Sequence, residues 1–320
     1  MNIEELKAIL QAIVDGRNEV GLSVYAVLKD QGGALPCKLD IEASSVDGLI
    51  DLFFGSLMEL IGSTDLSILN LSTSDERLNA IYRYDLEVPV ELELMEGVSA
   101  SDNLPLLDLE AKNLSSIKAL LIEIGNNDSQ LVLYKTMAPI NIFGRSNFFL
   151  KKSRHRLEQI DDEFLRVSSN FQMMRVKDEL LVIDLESLER TFGFGDVIKR
   201  EAALGVASIE KLELIHNPEA LHELLDDVKY ARRLTKVSKA SPVLKAGIDN
   251  AKIIEFCKIF PVLAGRIRFN DAGDKIVLDT KVSKDLFIKL LMDNFLTSEL
   301  TSFHYESVAK DSVEVAAENG

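Results

Sequence analysis

The chain has 320 residues, 47% hydrophobic and 28% charged, and a formal net charge of −16. That length suggests about two domains, and the apolar content supplies a sizeable core, which excludes overall disorder. No apolar run approaches the ~18 residues a membrane span needs. The start Met1-Asn2-Ile3-Glu4-Glu5 lacks the basic and apolar regions of a signal peptide, so a cytoplasmic protein is expected. Cys37 and Cys257 are far apart and in no metal-ligand spacing, which fits free thiols in a reducing compartment.

Met1–Val14 carries apolar residues at helical spacing. Gly16 and Gly21 punctuate, and Leu22–Leu28 reads as a strand. Leu49–Ile61 is apolar enough for a buried helix. Ala80–Leu94 reads as extended chain interrupted at Pro89, and Ala100–Pro105 as a loop. Leu114–Ile124 reads as a short helix, Gly125–Ser129 as a turn and Gln130–Thr136 as a strand. Phe143–Phe149 holds two apolar clusters around Gly144-Arg145-Ser146-Asn147. Phe171–Val176 and Leu180–Asp184 form a hairpin about Lys177-Asp178-Glu179.

Ser187–Phe194 reads as a short helix closed by glycines, and Asp196 as the cap of a longer one running towards Ile215. Asn217-Pro218-Glu219 is a helix start, with Asn as N-cap and Pro at the first helical position. From there Leu221, Leu224, Val228, Ala231, Leu234 and Val237 mark an apolar stripe that Ser241-Pro242 ends. Ile253–Ile259 is an apolar run before Pro261. Arg266–Phe269 and Lys275–Leu278 form a second hairpin, Ser283 caps a final helix to Asn294, and the residues from about Asp311 fray. The mixed order predicts an α/β (mixed α+β) chain with mixed sheets and packed helices. Its expected parts are an acidic α/β domain over 1–130, an α/β domain with a basic helix over 131–310, and a flexible tail over 311–320.

Charge is distributed unevenly. Residues 1–130 hold 8 Lys+Arg against 23 Asp+Glu, whereas residues 131–320 hold 28 against 29. The first part repels phosphates and suits a basic protein partner, so a nucleic-acid surface belongs to the second. Lys229–Lys252 contains seven basic residues and one acid, Asp249. Lys229, Arg232, Arg233 and Lys236 follow the i, i+3, i+4, i+7 pattern and share one helical face, with Lys239 next along. Cations gathered on one stripe of an acidic protein point to a polyanion; the alternative is a solvated face. Glu223, Asp226 and Asp227 lie one turn upstream, placed to pair with Lys229 and Arg233. A second group, Lys151, Lys152, Arg154, His155 and Arg156, runs at once into Glu158, Asp161, Asp162 and Glu163, so local neutralisation competes there. No helix carries a base-reading pattern, which makes any DNA binding non-specific.

Catalytic patterns are sparse. Asp102 with Glu110-Ala111-Lys112 resembles the D…ExK arrangement of metal-dependent nucleases, in which two carboxylates hold a divalent ion and the lysine positions water. That chemistry needs the ExK on a strand, and here it precedes an apparent helix start in the acidic part. His216 and His222 are off one helical face. Gly193-Phe194-Gly195 reads as a helix end. No cofactor or metal site is implied.

Glu179-Leu180-Leu181-Val182-Ile183-Asp184, Leu188-Glu189-Arg190-Thr191-Phe192-Gly193-Phe194 and Phe295–Tyr305 with Lys310 resemble the KwaB family, the DNA-binding component of the Kiwa anti-phage system. The likeness covers about residues 125–310. It implies a non-catalytic effector that binds double-stranded DNA, forms homodimers or higher oligomers, and blocks phage replication and transcription. It also implies recruitment to the inner membrane through a small membrane-spanning partner, KwaA. No DNA-contacting residue is carried over from the family. The expected phosphate contacts Lys229, Arg232, Arg233, Lys236 and Lys239, helped by Lys151, Lys152, Arg154 and Arg156, come from charge alone.

Overall fold

Asn2 opens the first helix, α1 (Ile3–Asp15), by accepting a hydrogen bond from the Glu5 amide at 2.8 Å, with Glu4 and Glu5 in the first turn. The structure is a computed structural model that describes residues 1–29, 35–74, 79–100, 104–126, 129–143, 149–153, 155–160 and 163–307. The chain divides into two units, Met1–Phe194 and Gly195–Gly320. Together they make a mixed α+β fold.

In the first unit α1 is followed by β1 (Gly21–Leu28), β2 (Cys37–Lys38), α2 (Ala43–Gly62), β3 (Ser67–Asn70), β4 (Ala80–Arg83) and α3 (Val90–Ala100). Then come β5 (Ile117–Gly125), β6 (Gln130–Thr136), β7 (Ile142–Phe143), β8 (Phe149–Ser153), β9 (Arg156–Ile160) and β10 (Phe164–Leu165). The hairpin β11 (Met173–Val176) and β12 (Glu179–Val182) and the helix α4 (Leu185–Arg190) complete the order. Eight strands form one sheet in the order β2-β1-β5-β6-β11-β12-β4-β3, antiparallel except for the β3–β4 pair. β7 pairs with β10, and β8 with β9, outside that sheet.

Both faces of the sheet are covered. Val24, Ala26, Leu120, Ile122, Ile124, Leu131, Leu133 and Met174 pack with Leu6, Leu10 and Ile13 of α1 and Ile50, Phe53 and Leu57 of α2. The alternate positions, including Leu121, Val132, Tyr134 and Met173, are buried on the other face. There α3 packs on β5 and β6 through Leu92, Met95 and Val98, and Phe192 meets Tyr134 edge-on at 5.1 Å.

Two-sided burial explains where pattern reading went astray. Leu114–Ile124 holds only one 3₁₀ turn, Leu114–Ser116, before β5 begins. A strand buried on both faces has no polar alternation, so its apolar run imitates a buried helix. Conversely, Val90–Leu94 is helical: the Pro89 carbonyl accepts from the Leu92 and Glu93 amides, and Leu92, Met95 and Val98 recur at helical spacing on the buried side. The boundary expected after residue 130 falls inside β6, whose hydrogen bonds to β5 and β11 hold the sheet together across it. The chain divides at Phe194 and Gly195 instead.

The second unit is mostly helical: α5 (Phe194–Glu210), α6 (Glu219–His222), α7 (Val228–Ala240), α8 (Pro242–Ala246), α9 (Asn250–Ile259) and α10 (Lys281–Leu291). Two short hairpins interrupt it, β13 (Arg268–Phe269) with β14 (Ile276–Val277), and β15 (Phe295–Thr297) with β16 (His304–Glu306). The helix expected from Asn217 is not continuous. Asn217 leaves the cap and instead bonds the Leu278 backbone, accepting from its amide at 2.8 Å and donating to its carbonyl at 3.1 Å. After α6 and a 3₁₀ turn, Asp227 turns extended (ψ 111°) and its carboxylate caps α7 through the Lys229 amide at 2.9 Å. The final helix is capped by Thr280, with Ser283 completing a reciprocal capping box. Among the described residues no helix is long and apolar enough to cross a membrane. The expected tail over 311–320 lies outside the described residues.

One buried charge stands out. Lys135, in β6, is 1% exposed. Its ammonium donates to the Ser168 hydroxyl at 2.9 Å and to the Asn170 carbonyl and side-chain oxygen, each at 2.7 Å. The acceptors are neutral, so burial lowers its pKa to about 8 from the usual 10.5. The unfolded chain therefore binds more protons between those values, and stability rises as pH increases through that window. Lys135→Met is expected to flatten this rise, read as urea midpoints between about pH 7.5 and 10.5.

Candidate nucleic-acid interface

α7 is amphipathic because its sequence alternates by helical turn. Tyr230, Ala231, Leu234, Thr235 and Val237 are buried, and the cations occupy the remaining surface. The buried side sits tightly on α5: a Cβ on Gly205 would lie 2.8 Å from the Leu234 carbonyl oxygen, so only glycine permits this approach. The Thr235 hydroxyl donates to Ala231 O at 3.0 Å within the helix.

The five cations of the stripe have different surroundings. Arg233 and Lys239 lie on its flanks and tie the helix to its neighbours. Arg233 Nη1 meets Asp285 Oδ1 of α10 at 2.5 Å, and its guanidinium stands over the Tyr230 ring at 5.6 Å. Lys239 Nζ meets Glu201 Oε2 of α5 at 3.0 Å. Lys229 is exposed, while Arg232 and Lys236 are half-buried and are themselves engaged. The upstream acids are taken elsewhere: Glu223 holds Lys284 at 2.7 Å, Asp226 holds Lys199 at 3.4 Å, and Asp227 caps the helix. The pairing expected between these acids and Lys229 or Arg233 is therefore replaced by other contacts.

Asp285 is the hub of the Arg233 flank. Lys289 Nζ reaches it at 3.0 Å and also reaches Glu306 of β16 at 2.7 Å. Burial works to raise the Asp285 carboxyl, but hydrogen bonds and charge from Arg233 and Lys289 hold it below the usual carboxylate range. Lys289 is raised, chiefly by Glu306, against burial and with help from Asp285. None of this was legible in the sequence, since Asp285 and Glu306 are distant from residue 233 along the chain.

The second cationic group belongs to the first unit. β8 and β9 pair Lys151 with Glu158 and Lys152 with Leu157 in register. Arg156 is exposed and bonds Glu158 at 2.8 Å. Arg154 lies outside the described residues. Glu110 and Lys112 fall on an exposed turn whose Asp108 side chain accepts from the Glu110 and Ala111 amides, each at 3.0 Å, and Asp102 lies outside the described residues. His222 bonds Glu210 at 2.8 Å.

Residues 114–301, more than half of the chain, match the family described as Kiwa protein KwaB-like. The chain belongs to that family. The match begins just before β5 and takes in the centre of the sheet and most of the second unit, α7 included. A KwaB relative, named Kiwa protein KwaB, from Escherichia coli O55:H7 (strain RM12579 / EPEC), is 29% identical over 321 residues, covering 98% of this chain and all of the relative. No solved structure matches the chain.

The Asp285 hub has a pH signature. A carboxylate with a lowered folded pKa contributes stability above its unfolded value and loses it as pH falls through the folded one. Unfolding of the second unit is expected to ease below about pH 4, and Asp285→Asn to blunt that acid dependence, measured by urea midpoints at successive pH values.

Proposed function

We propose that this KwaB-like chain acts in anti-phage defence by holding double-stranded DNA through its second unit, without reading sequence. Family membership supports the defence role. The observation that carries the DNA reading is α7, a helix with its apolar side buried and Lys229, Arg232, Arg233, Lys236 and Lys239 on its remaining surface. The second unit has 18 Lys+Arg against 20 Asp+Glu, and the first 18 against 32, so the helix stands in the less repulsive unit. The flanking pairs at Arg233 and Lys239 do not oppose this. Part-exposed pairs contribute about 0–1 kcal/mol, and each phosphate neutralised releases a counterion in exchange. Lys151, Lys152, Arg154 and Arg156 add contacts from the first unit, and oligomerisation multiplies the footprint. The effect is obstruction of phage replication and transcription. The acidic first unit serves the other half of the task, docking the chain on a membrane-spanning partner, KwaA, at the inner membrane.

Binding to a random-sequence duplex, followed by fluorescence anisotropy across a salt series, tests the helix. Replacing Lys229, Arg232 and Lys236 together with Gln is expected to leave the fold intact and to reduce the logarithmic salt slope by about 3, from roughly 0.9 per phosphate. An unchanged slope assigns the stripe to structure alone.

We further propose that the chain does not cut the DNA it holds. The placement of Glu110-Ala111-Lys112 on a capped turn, off any strand, supports this. Plasmid incubated with the protein and Mg²⁺ or Mn²⁺ is expected to stay intact; cutting that Glu110→Ala abolishes would establish a nuclease.

A further inference from the structure

Among the described residues, the sheet face covered by α3 is left partly open at one end, where Leu104 also borders it. The helix stops at Ala100, and beyond it the same face continues with Ser23 of β1, Glu123 of β5 and Gln130 of β6. Ser23 stands opposite Glu123 in register, and Gly21 opposite Gly125. Paired glycines put no side chain over that end, and a cavity of about 370 Å³ opens there, within the range of small-molecule sites. Lys38 of the edge strand β2 and Val98 of α3 supply further walls.

The charges in this cavity are unusual. Tyr25, 6% exposed, donates its hydroxyl to Glu123 Oε2 at 3.0 Å and so fixes one carboxylate oxygen. Among the described residues, no cation pairs with Glu123 and no carboxylate with Lys38. Among the described residues, an acid and a base thus line one cavity with no ion pair between them or to a third group. Two such groups, both in the lining and not paired with each other, match a ligand that carries both signs. A purely anionic ligand meets the repulsion of a unit with 18 Lys+Arg against 32 Asp+Glu, and a purely cationic one leaves Lys38 opposed. A zwitterion meets neither difficulty, and Ser23 and Gln130 offer neutral donors and acceptors beside it.

We infer that this cavity binds a small zwitterion of amino-acid size, its ammonium on Glu123 and its carboxylate on Lys38. The cavity belongs to the first unit and α7 to the second, and the inference does not rest on DNA binding.

Isothermal titration calorimetry of the whole protein with each of the twenty standard L-amino acids tests this, with putrescine and succinate as single-sign controls. At least one amino acid is expected to bind with Kd below about 1 mM, while neither control does. Glu123→Gln and Lys38→Met are each expected to weaken that binding at least about tenfold. Gly21→Leu gives an independent check. A Cβ there meets nothing nearer than the Gly125 carbonyl oxygen at 3.8 Å, and Gly21 lines the cavity, so the larger side chain is expected to block binding, with circular dichroism checking that the variant folds. Absence of heat with all twenty, equal binding of either control, or wild-type affinity in all three variants overturns the inference.

Discussion

The central pair of strands, β5 and β6, is buried on both faces, and this constraint organises the first unit. Each inward position must find apolar cover, from α1 and α2 on one side and from α3 with Phe192 on the other. Backbone polar groups there are satisfied along the ladder, leaving side-chain packing to set the layers. Where cover stops, polar residues take over: Ser23, Glu123 and Gln130 beyond α3. The same logic accounts for Lys135, which occupies a covered position and is tolerated only because Ser168 and Asn170 supply acceptors for its ammonium.

In the second unit the organising contacts are electrostatic at the edges and apolar beneath. Gly205 lets α7 settle onto α5, and Glu201 and Asp285 then grip its flanks through Lys239 and Arg233. These ties fix the rotation of the helix about its axis, and so decide which cations face outward. Individually they are weak. Their positional effect is larger than their contribution to stability, because a helix rolled by a quarter turn would bury lysine and expose leucine. The ion chain from Arg233 through Asp285 and Lys289 to Glu306 extends that grip to the β15–β16 hairpin.

Much of the fold was legible in the sequence where periodicity and punctuation agree. α1, β1, β6 and the β11–β12 and β13–β14 hairpins lie close to where spacing and turn residues put them. The family resemblance rested on segments around Glu179–Phe194 and Phe295–Tyr305, which turn out to be β12 with α4 and the β15–β16 hairpin. The misreadings share a cause: information carried by tertiary neighbours. β5 looked helical because its second buried face removed the alternation. Asn217 looked like a cap because the demand of Leu278 for a partner is invisible locally. For the site, the cationic spacing on α7 was readable, but the identity of the acids that hold it was not: nearby Glu223 and Asp226 were the obvious candidates, and distant Asp285 and Glu201 proved to be the partners.

Lys135 combines two properties that rarely coincide in one amine. With a pKa near 8 it is deprotonated, and therefore nucleophilic, in a larger fraction than a surface lysine at neutral pH. Enclosure by the sheet and the 168–170 segment keeps every acylating reagent away from it while the structure is closed. Its rate of chemical labelling thus counts transient openings of that part of the protein, making one side chain an internal clock for local unfolding.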